Sequence, residues 1–341
     1  MSDRLARLLA TRPYLVADGA MGTNLFARGL MSGDAPEPWN VDHPDRVAAV
    51  HRGFVMAGSD ILLTNTFGAN RQRLKLHKME ARVEELNAAG ARLTRGVADT
   101  AGRVVVVAGS IGPTGDLLAP LGPLTMDEAR AVFAEQARGL KAGGADVLWI
   151  ETMSAKDEME AAVAGAADAG LPIVATMTFD TNGRTMMGLT PGDAIRFLSA
   201  QHPKPLAYGA NCGTGPAELI ASLLGLAKAR IGGDEIIVAK GNCGIPQYKD
   251  GKLEFTGTPA LMVEYAKLAR DAGARIIGAC CGSEPVHLKA IADALRGYAP
   301  GPAPDIAAIE AKLGALGAGA KLATEDGAPA AAREPRRRRR G

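Results

Sequence analysis

The four cysteines of this 341-residue chain, Cys212, Cys243, Cys280 and Cys281, are its best-suited chemical groups. Each lies just after an apolar run and in or beside a Cys-Gly step. No C-x-x-C spacing is present, but adjacent Cys280 and Cys281 on one sharp turn, with Cys212 brought close, could present three thiolates to one point. Thiolates suit zinc, and three protein ligands with an open fourth position describe a catalytic metal site. The competing reading is small thiols packed as apolar residues. The five histidines, His43, His51, His77, His202 and His287, fall in helical patterns or their approaches and read as surface or packing residues. Zinc held by three thiolates is net negative and activates water poorly. It suits holding a fourth sulfur and keeping it deprotonated. The reaction implied is alkyl transfer onto a substrate thiol. Asp18 and Glu151, also following apolar runs, could hold a substrate ammonium. Alternatively Asp18 caps the turn at Gly19, while a carboxylate at Glu151, after Trp149-Ile150, is costly unless paired.

These residues need elements to position them. Eight short runs rich in Val, Ile and Leu recur along the chain: 14–17, 61–65, 104–109, 147–151, 173–178, 206–211, 236–239 and 276–279. Near-continuous apolar strands are what a parallel sheet covered by helices requires. Helical patterns lie between them, at 47–56, 83–97, 126–141, 155–167, 216–229, 259–272 and 285–296, several opening on Pro or an acid. The junctions Ala57-Gly58-Ser59-Asp60-Ile61, Gly143-Gly144-Ala145-Asp146-Val147 and Ala272-Gly273-Ala274-Arg275-Ile276 repeat one design, in which a glycine ends a helix and a strand follows. Eight such units in about 300 residues predict an α/β fold, a (β/α)8 TIM-type barrel. An open doubly wound sheet is the alternative, without a G-x-G-x-x-G after its first strand. In a barrel, polar residues belong at the strand ends. All eight strand exits carry them, most beside glycine.

Composition sets the boundaries. A chain with 47% hydrophobic residues and four cysteines has enough core to fold without a disulfide framework. It shows no signal-peptide pattern and no apolar run of membrane-spanning length, so a soluble cytoplasmic protein is expected. Residues 301–341 hold eight Lys/Arg against five Asp/Glu, which leaves residues 1–300 at −1 within a total of +2. A near-neutral body predicts no nucleic-acid binding by the barrel. The division predicted is a barrel over 1–300 and, over 301–341, an Ala/Gly/Pro-rich tail ending in Arg336–Arg340. That tail has a helix at 305–316 at most and is otherwise disordered. Nothing in the sequence reports the oligomeric state.

The strand exits resemble those of the homocysteine S-methyltransferase family. The matching segments are Asp18-Gly19-Ala20-Met21-Gly22-Thr23, Thr64-Asn65-Thr66-Phe67-Gly68-Ala69, Gly109-Ser110-Ile111-Gly112-Pro113-Thr114-Gly115, Glu151-Thr152, Asn211-Cys212 and Gly278-Ala279-Cys280-Cys281-Gly282. They run in the family's order from about residue 14 to 297. The resemblance implies the (β/α)8 barrel, zinc on Cys212, Cys280 and Cys281 as the catalytic centre, homocysteine as acceptor and methionine as product. It places Asp18 and Glu151 on the homocysteine amino group, with Gly19, Thr64 and Ser110 lining the same pocket. Cys243 stands where the family usually has Ala, in Asn242-Cys243-Gly244-Ile245-Pro246, and is read as a non-ligand.

The family's methyl donors include betaine, S-methylmethionine and a methyl-cobalamin carried on another module. A quaternary ammonium needs an aromatic cage. Trp39, in Glu37-Pro38-Trp39-Asn40, resembles one wall of the betaine enzymes' cage, whereas Gly68 stands where they place Tyr. A betaine-type donor is slightly favoured. The alternative is the homocysteine half of a split cobalamin-dependent methionine synthase, served by a separate corrinoid protein, for which the Thr64–Ala69 segment speaks. A zinc-and-thiol-binding barrel without turnover is the third reading.

Overall fold

The computed structural model describes residues 3–249 and 252–324. Eight parallel strands form its main sheet: β1 (Leu15–Val16), β2 (Ile61–Leu63), β3 (Val106–Ile111), β4 (Val147–Met153), β5 (Ile173–Met177), β6 (Ala207–Cys212), β7 (Ile237–Gly241) and β10 (Ala274–Ala279). Consecutive barrel strands pair side by side from β2 through β7 to β10, and β10 pairs with β1. The ring closes between β1 and β2 by a parallel bridge from Ala17 to Ile61, with Asp60 N–H donating to Val16 O at 2.7 Å. This is the (β/α)8 barrel that the apolar runs predicted, and seven of its helices cover the seven predicted patterns within a few residues.

Local signals set the helix ends. Thr125 and Glu128 form a reciprocal cap on the helix Met126–Ala142. Gly58, Gly144 and Gly273 take φ of +106°, +92° and +91° at the three repeated junctions, where a side chain would be strained.

Two apolar layers result. One lies between the strands and the outer helices. The other fills the barrel itself with inward-facing residues such as Ile61, Val106, Val147, Trp149 and Ile276. Leu5, Leu8 and Leu9 join this inner layer. They line one stripe of the helix Arg4–Thr11, which the strand-and-helix reading did not anticipate. An eight-residue helix gives a short periodic signal, and its burial comes from the barrel rather than from its own length.

Two more elements depart from the prediction. A hairpin, β8 (Pro246–Lys249) with β9 (Lys252–Phe255), follows β7 and pairs antiparallel. In the tail, the helix allowed at 305–316 is present as Ile306–Leu313, and a second helix, Ala318–Ala323, follows where disorder was expected. Ile309, Leu316, Ala320 and Ala323 are buried, and both helices rest on the helix Pro216–Lys228. Small alanines close to a neighbouring helix bury enough surface to order a segment that composition alone marks as loose. Arg336–Arg340 lie outside the described residues. Among the described residues no helix is long and apolar enough to cross a membrane.

Candidate active site

The strand exits converge on a cavity of about 570 Å³. Asp18, Gly19, Thr64, Ser110, Glu151, Cys212, Cys280 and Cys281, all singled out by sequence, line it together.

The sulfurs of Cys212, Cys280 and Cys281 lie within 4.8 Å of one another. Cys212 ends β6 with φ of +61°, a left-handed conformation that turns its side chain off the strand. Cys280 and Cys281 follow β10 on a turn held by Cys280 N–H donating to Gly241 O at 2.7 Å and Cys243 N–H donating to Cys281 O at 2.9 Å. Gly282 completes it at φ +77°, and the Phe255 ring fills the space where its side chain would be. Thiolates tetrahedral about one ion at ~2.3 Å stand about 3.8 Å apart. Cys212 Sγ and Cys281 Sγ are 3.7 Å apart, so the donor set fits zinc. Contacts from Cys212 and Cys281, and then the Lys240 charge, hold the Cys280 thiol well below its ordinary pKa, while the thiols of Cys212 and Cys281, which share that one charge, are pushed up. Cys243 is buried in the outer apolar layer and stands apart from this cluster. Burial pushes its thiol up to about 12.

The polar wall is one connected network. Ser110 Oγ donates to Glu151 Oε1 at 2.5 Å. Ser110 N–H donates to Thr64 Oγ1 at 2.9 Å, and Thr66 Oγ1 donates to Ser110 O at 2.7 Å. Thr152, at φ +64°, is braced by Asn211, which accepts from Thr152 N–H at 2.8 Å and donates to Thr152 Oγ1 at 2.7 Å. Burial raises the Glu151 carboxyl to about 7, against the pull of Lys240. Gly19 packs so close to Ser283 Oγ that a Cβ would collide with it at 2.4 Å.

Sequence reasoning missed Lys240, which lines the same cavity. Its Nζ donates to Asp18 Oδ1 at 3.0 Å, while Leu63 N–H donates to Asp18 Oδ2 at 2.7 Å. Both side chains of this ion pair are buried. Burial works against the lysine's charge, but Asp18, Glu151 and Cys280 outweigh it and hold Lys240 protonated. The available signal was a lone lysine closing the apolar run 236–239. His77, set aside as a surface residue, also lines the cavity.

Trp39 does not line the cavity among the described residues. Its ring lies under the Arg46 guanidinium at 5.0 Å and edge-on to His43 at 4.8 Å. The aromatic residues that do line it are Phe26, Phe67 and Phe255.

A family model described as homocysteine S-methyltransferase matches residues 15–295. The chain belongs to the homocysteine S-methyltransferase family. It is 33% identical over 299 residues to the methionine synthase of Mycobacterium tuberculosis, across 82% of this chain and 24% of that protein. To the methionine synthase of Mycobacterium leprae it is 33% identical over 309 residues, across 85% and 25%. The chain therefore spans about a quarter of the length of these relatives. Among solved structures, the metallated homocysteine methyltransferase MmuM from Escherichia coli superposes with a TM-score of 0.71 at 24% identity, covering 85% of this chain and 99% of that one. That likeness confirms the barrel.

Proposed function

We propose that this member of the homocysteine S-methyltransferase family methylates the thiol of homocysteine to form methionine. The observation that carries the reading is one cavity with three converging cysteine sulfurs and, beside them, a buried wall of carboxylates. Cys212, Cys280 and Cys281 would hold zinc, which when bound keeps a fourth sulfur deprotonated at neutral pH. Glu151, fixed by Ser110, accepts the acceptor's α-ammonium. Asp18 forms a buried ion pair with Lys240 and places the lysine in the cavity. Thr64 and Thr66 fix Ser110, and Gly19 lets the β1 exit approach the site closely. No side-chain base is needed once the thiol has lost its proton, so the chain's work is positioning.

For the donor we favour a methyl-corrinoid carried on another module over betaine. Arg46 covers Trp39 and the tryptophan is not among the residues lining the cavity, so Trp39 is not placed to wall a quaternary ammonium, and the aromatic rings of the cavity are those of Phe26, Phe67 and Phe255. The likeness to methionine synthases points the same way. Four free cysteines suit a reducing compartment, and we place the protein in the cytoplasm. The test is methionine formation by the purified, zinc-loaded chain with L-homocysteine and either methyl-cobalamin, free or protein-bound, or betaine. Product from the corrinoid but not from betaine is expected. No product from any donor, or full activity in Cys281→Ala, overturns the reading.

A further inference from the structure

A lysine buried inside a barrel is costly unless its charge is paired and used. Lys240 is the penultimate residue of β7, has its side chain only 3% exposed and is one of the residues that line the cavity. An ammonium carries three N–H donors. Asp18 Oδ1 takes one at 3.0 Å. The Trp149 ring, 5.5 Å from Nζ, attracts the charge but offers no lone pair. Two donors thus have no acceptor among the described residues. In the same cavity Glu151 accepts from Ser110, feels the Lys240 charge, and has no ion-pair partner within 4.0 Å among those residues. The site therefore offers one cation with spare donors and one carboxylate with spare lone pairs. That is the complement of an amino acid's two charged groups.

We propose that Lys240 is the specificity-determining residue for the acceptor, holding its α-carboxylate while Glu151 holds its α-ammonium. The proposal rests on the acceptor reading above. It assigns the two ends of a zwitterion to two residues, where the sequence had both acids on the ammonium alone. Asp18 then acts as a positioning residue that fixes the lysine through 3.0 Å and 2.7 Å hydrogen bonds on its two oxygens.

The experiment measures equilibrium binding by calorimetry of three thiols to the zinc-loaded chain. They are L-homocysteine, 3-aminopropanethiol, which lacks the carboxylate, and 4-mercaptobutyrate, which lacks the ammonium. The wild-type chain is expected to bind homocysteine about 100-fold more tightly than 3-aminopropanethiol, the scale of a buried charge-assisted hydrogen bond. In Lys240→Met that preference falls to about 3-fold or less, through loss of homocysteine affinity alone. Removing the lysine leaves Asp18 buried and unpaired, so Asp18→Asn/Lys240→Met, which removes both charges, is measured alongside with its melting curve. The double variant is expected to fold and to bind homocysteine as weakly as the single one. Recovery of wild-type affinity in the double variant means that Lys240 only neutralises Asp18, and overturns the proposal. Tighter wild-type binding of 4-mercaptobutyrate than of homocysteine means that Lys240 fills the ammonium's place, and also overturns it. Methionine formation separates the two readings. Methionine made with an unaltered preference in Lys240→Met defeats the proposal alone. The expected discrimination without methionine from any donor defeats the transfer reaction and leaves the carboxylate assignment standing.

Discussion

Cys212 and Cys281 hold their sulfurs at the separation that two thiolates on one ion adopt, although they are 69 residues apart in sequence. A chain that spends a left-handed residue at Cys212 to achieve this should lose the metal when either sulfur goes. Cys212→Ala and Cys281→Ala are each expected to drop bound zinc from about one ion per chain to near zero by elemental analysis, three thiolates being the whole of the proposed protein ligand set. Cys243→Ala is expected to keep the zinc, because its thiol lies in the apolar layer. At Glu151 the Ser110 hydroxyl is the only hydrogen bond among the described residues. Ser110→Ala is therefore expected to lower kcat/KM for homocysteine about tenfold or more, as loss of a hydrogen bond to a charged group does. The effect should appear mainly in KM if Ser110 serves binding rather than the transfer step. These residues were readable because polar side chains after apolar strands have few other reasons to be there. Lys240 was not, since its partner Asp18 is 222 residues away and a lysine at a strand end ordinarily reaches solvent.

The helices carry their own titration. His51, on the helix Pro44–Ala57, is buried, and burial lowers its pKa to about 3. The Thr94 hydroxyl donates to Gly90 O at 2.8 Å, so His51 Nε2 must donate to Thr94 Oγ1 at 3.0 Å, which leaves Nδ1 buried without a partner. The folded protein thus keeps the ring neutral, while the unfolded chain takes up a proton near pH 6.5. Stability from this residue is complete above about pH 7 and falls as pH drops from 6.5 toward 3. Between pH 7 and pH 5 the wild-type chain is expected to lose about 2 kcal/mol more than His51→Leu in urea denaturation, at about 1.4 kcal/mol per pH unit. Equal losses in the two proteins would show that another group dominates. The helix itself was plain from its pattern and its Gly58 stop. The histidine's burial was not, because a single polar residue does not break a 3.6-residue period.

On the scale of the whole molecule, the ordered body runs past the expected limit at residue 300. A chain truncated after that residue uncovers the helix Pro216–Lys228 and loses the burial of Ile309 and Leu316. Its unfolding free energy is expected to fall by about 3 kcal/mol, each large apolar side chain accounting for roughly 1.5–3 kcal/mol. An unchanged urea midpoint would show that the last two helices add nothing. The barrel was visible in the sequence because eight apolar strands repeat one glycine-ended junction. Of the two terminal helices the first was allowed for at 305–316, whereas Ala318–Ala323 was hidden by its small residues, which pack closely yet give no clear apolar period. At the other end, Leu5, Leu8 and Leu9 close the barrel beneath its filled interior. Above that floor, Phe26, Phe67 and Phe255 are among the residues that line the cavity. In the proposed reaction two reactants share this one cavity. On that proposal the thiol substrate, held by the cysteine sulfurs and the buried charges, is expected to bind first. The methyl donor is then expected to bind second and to leave, spent, before methionine. A steady-state pattern of compulsory order, with product inhibition by methionine competitive against homocysteine, is the kinetic imprint of a barrel with a bottom.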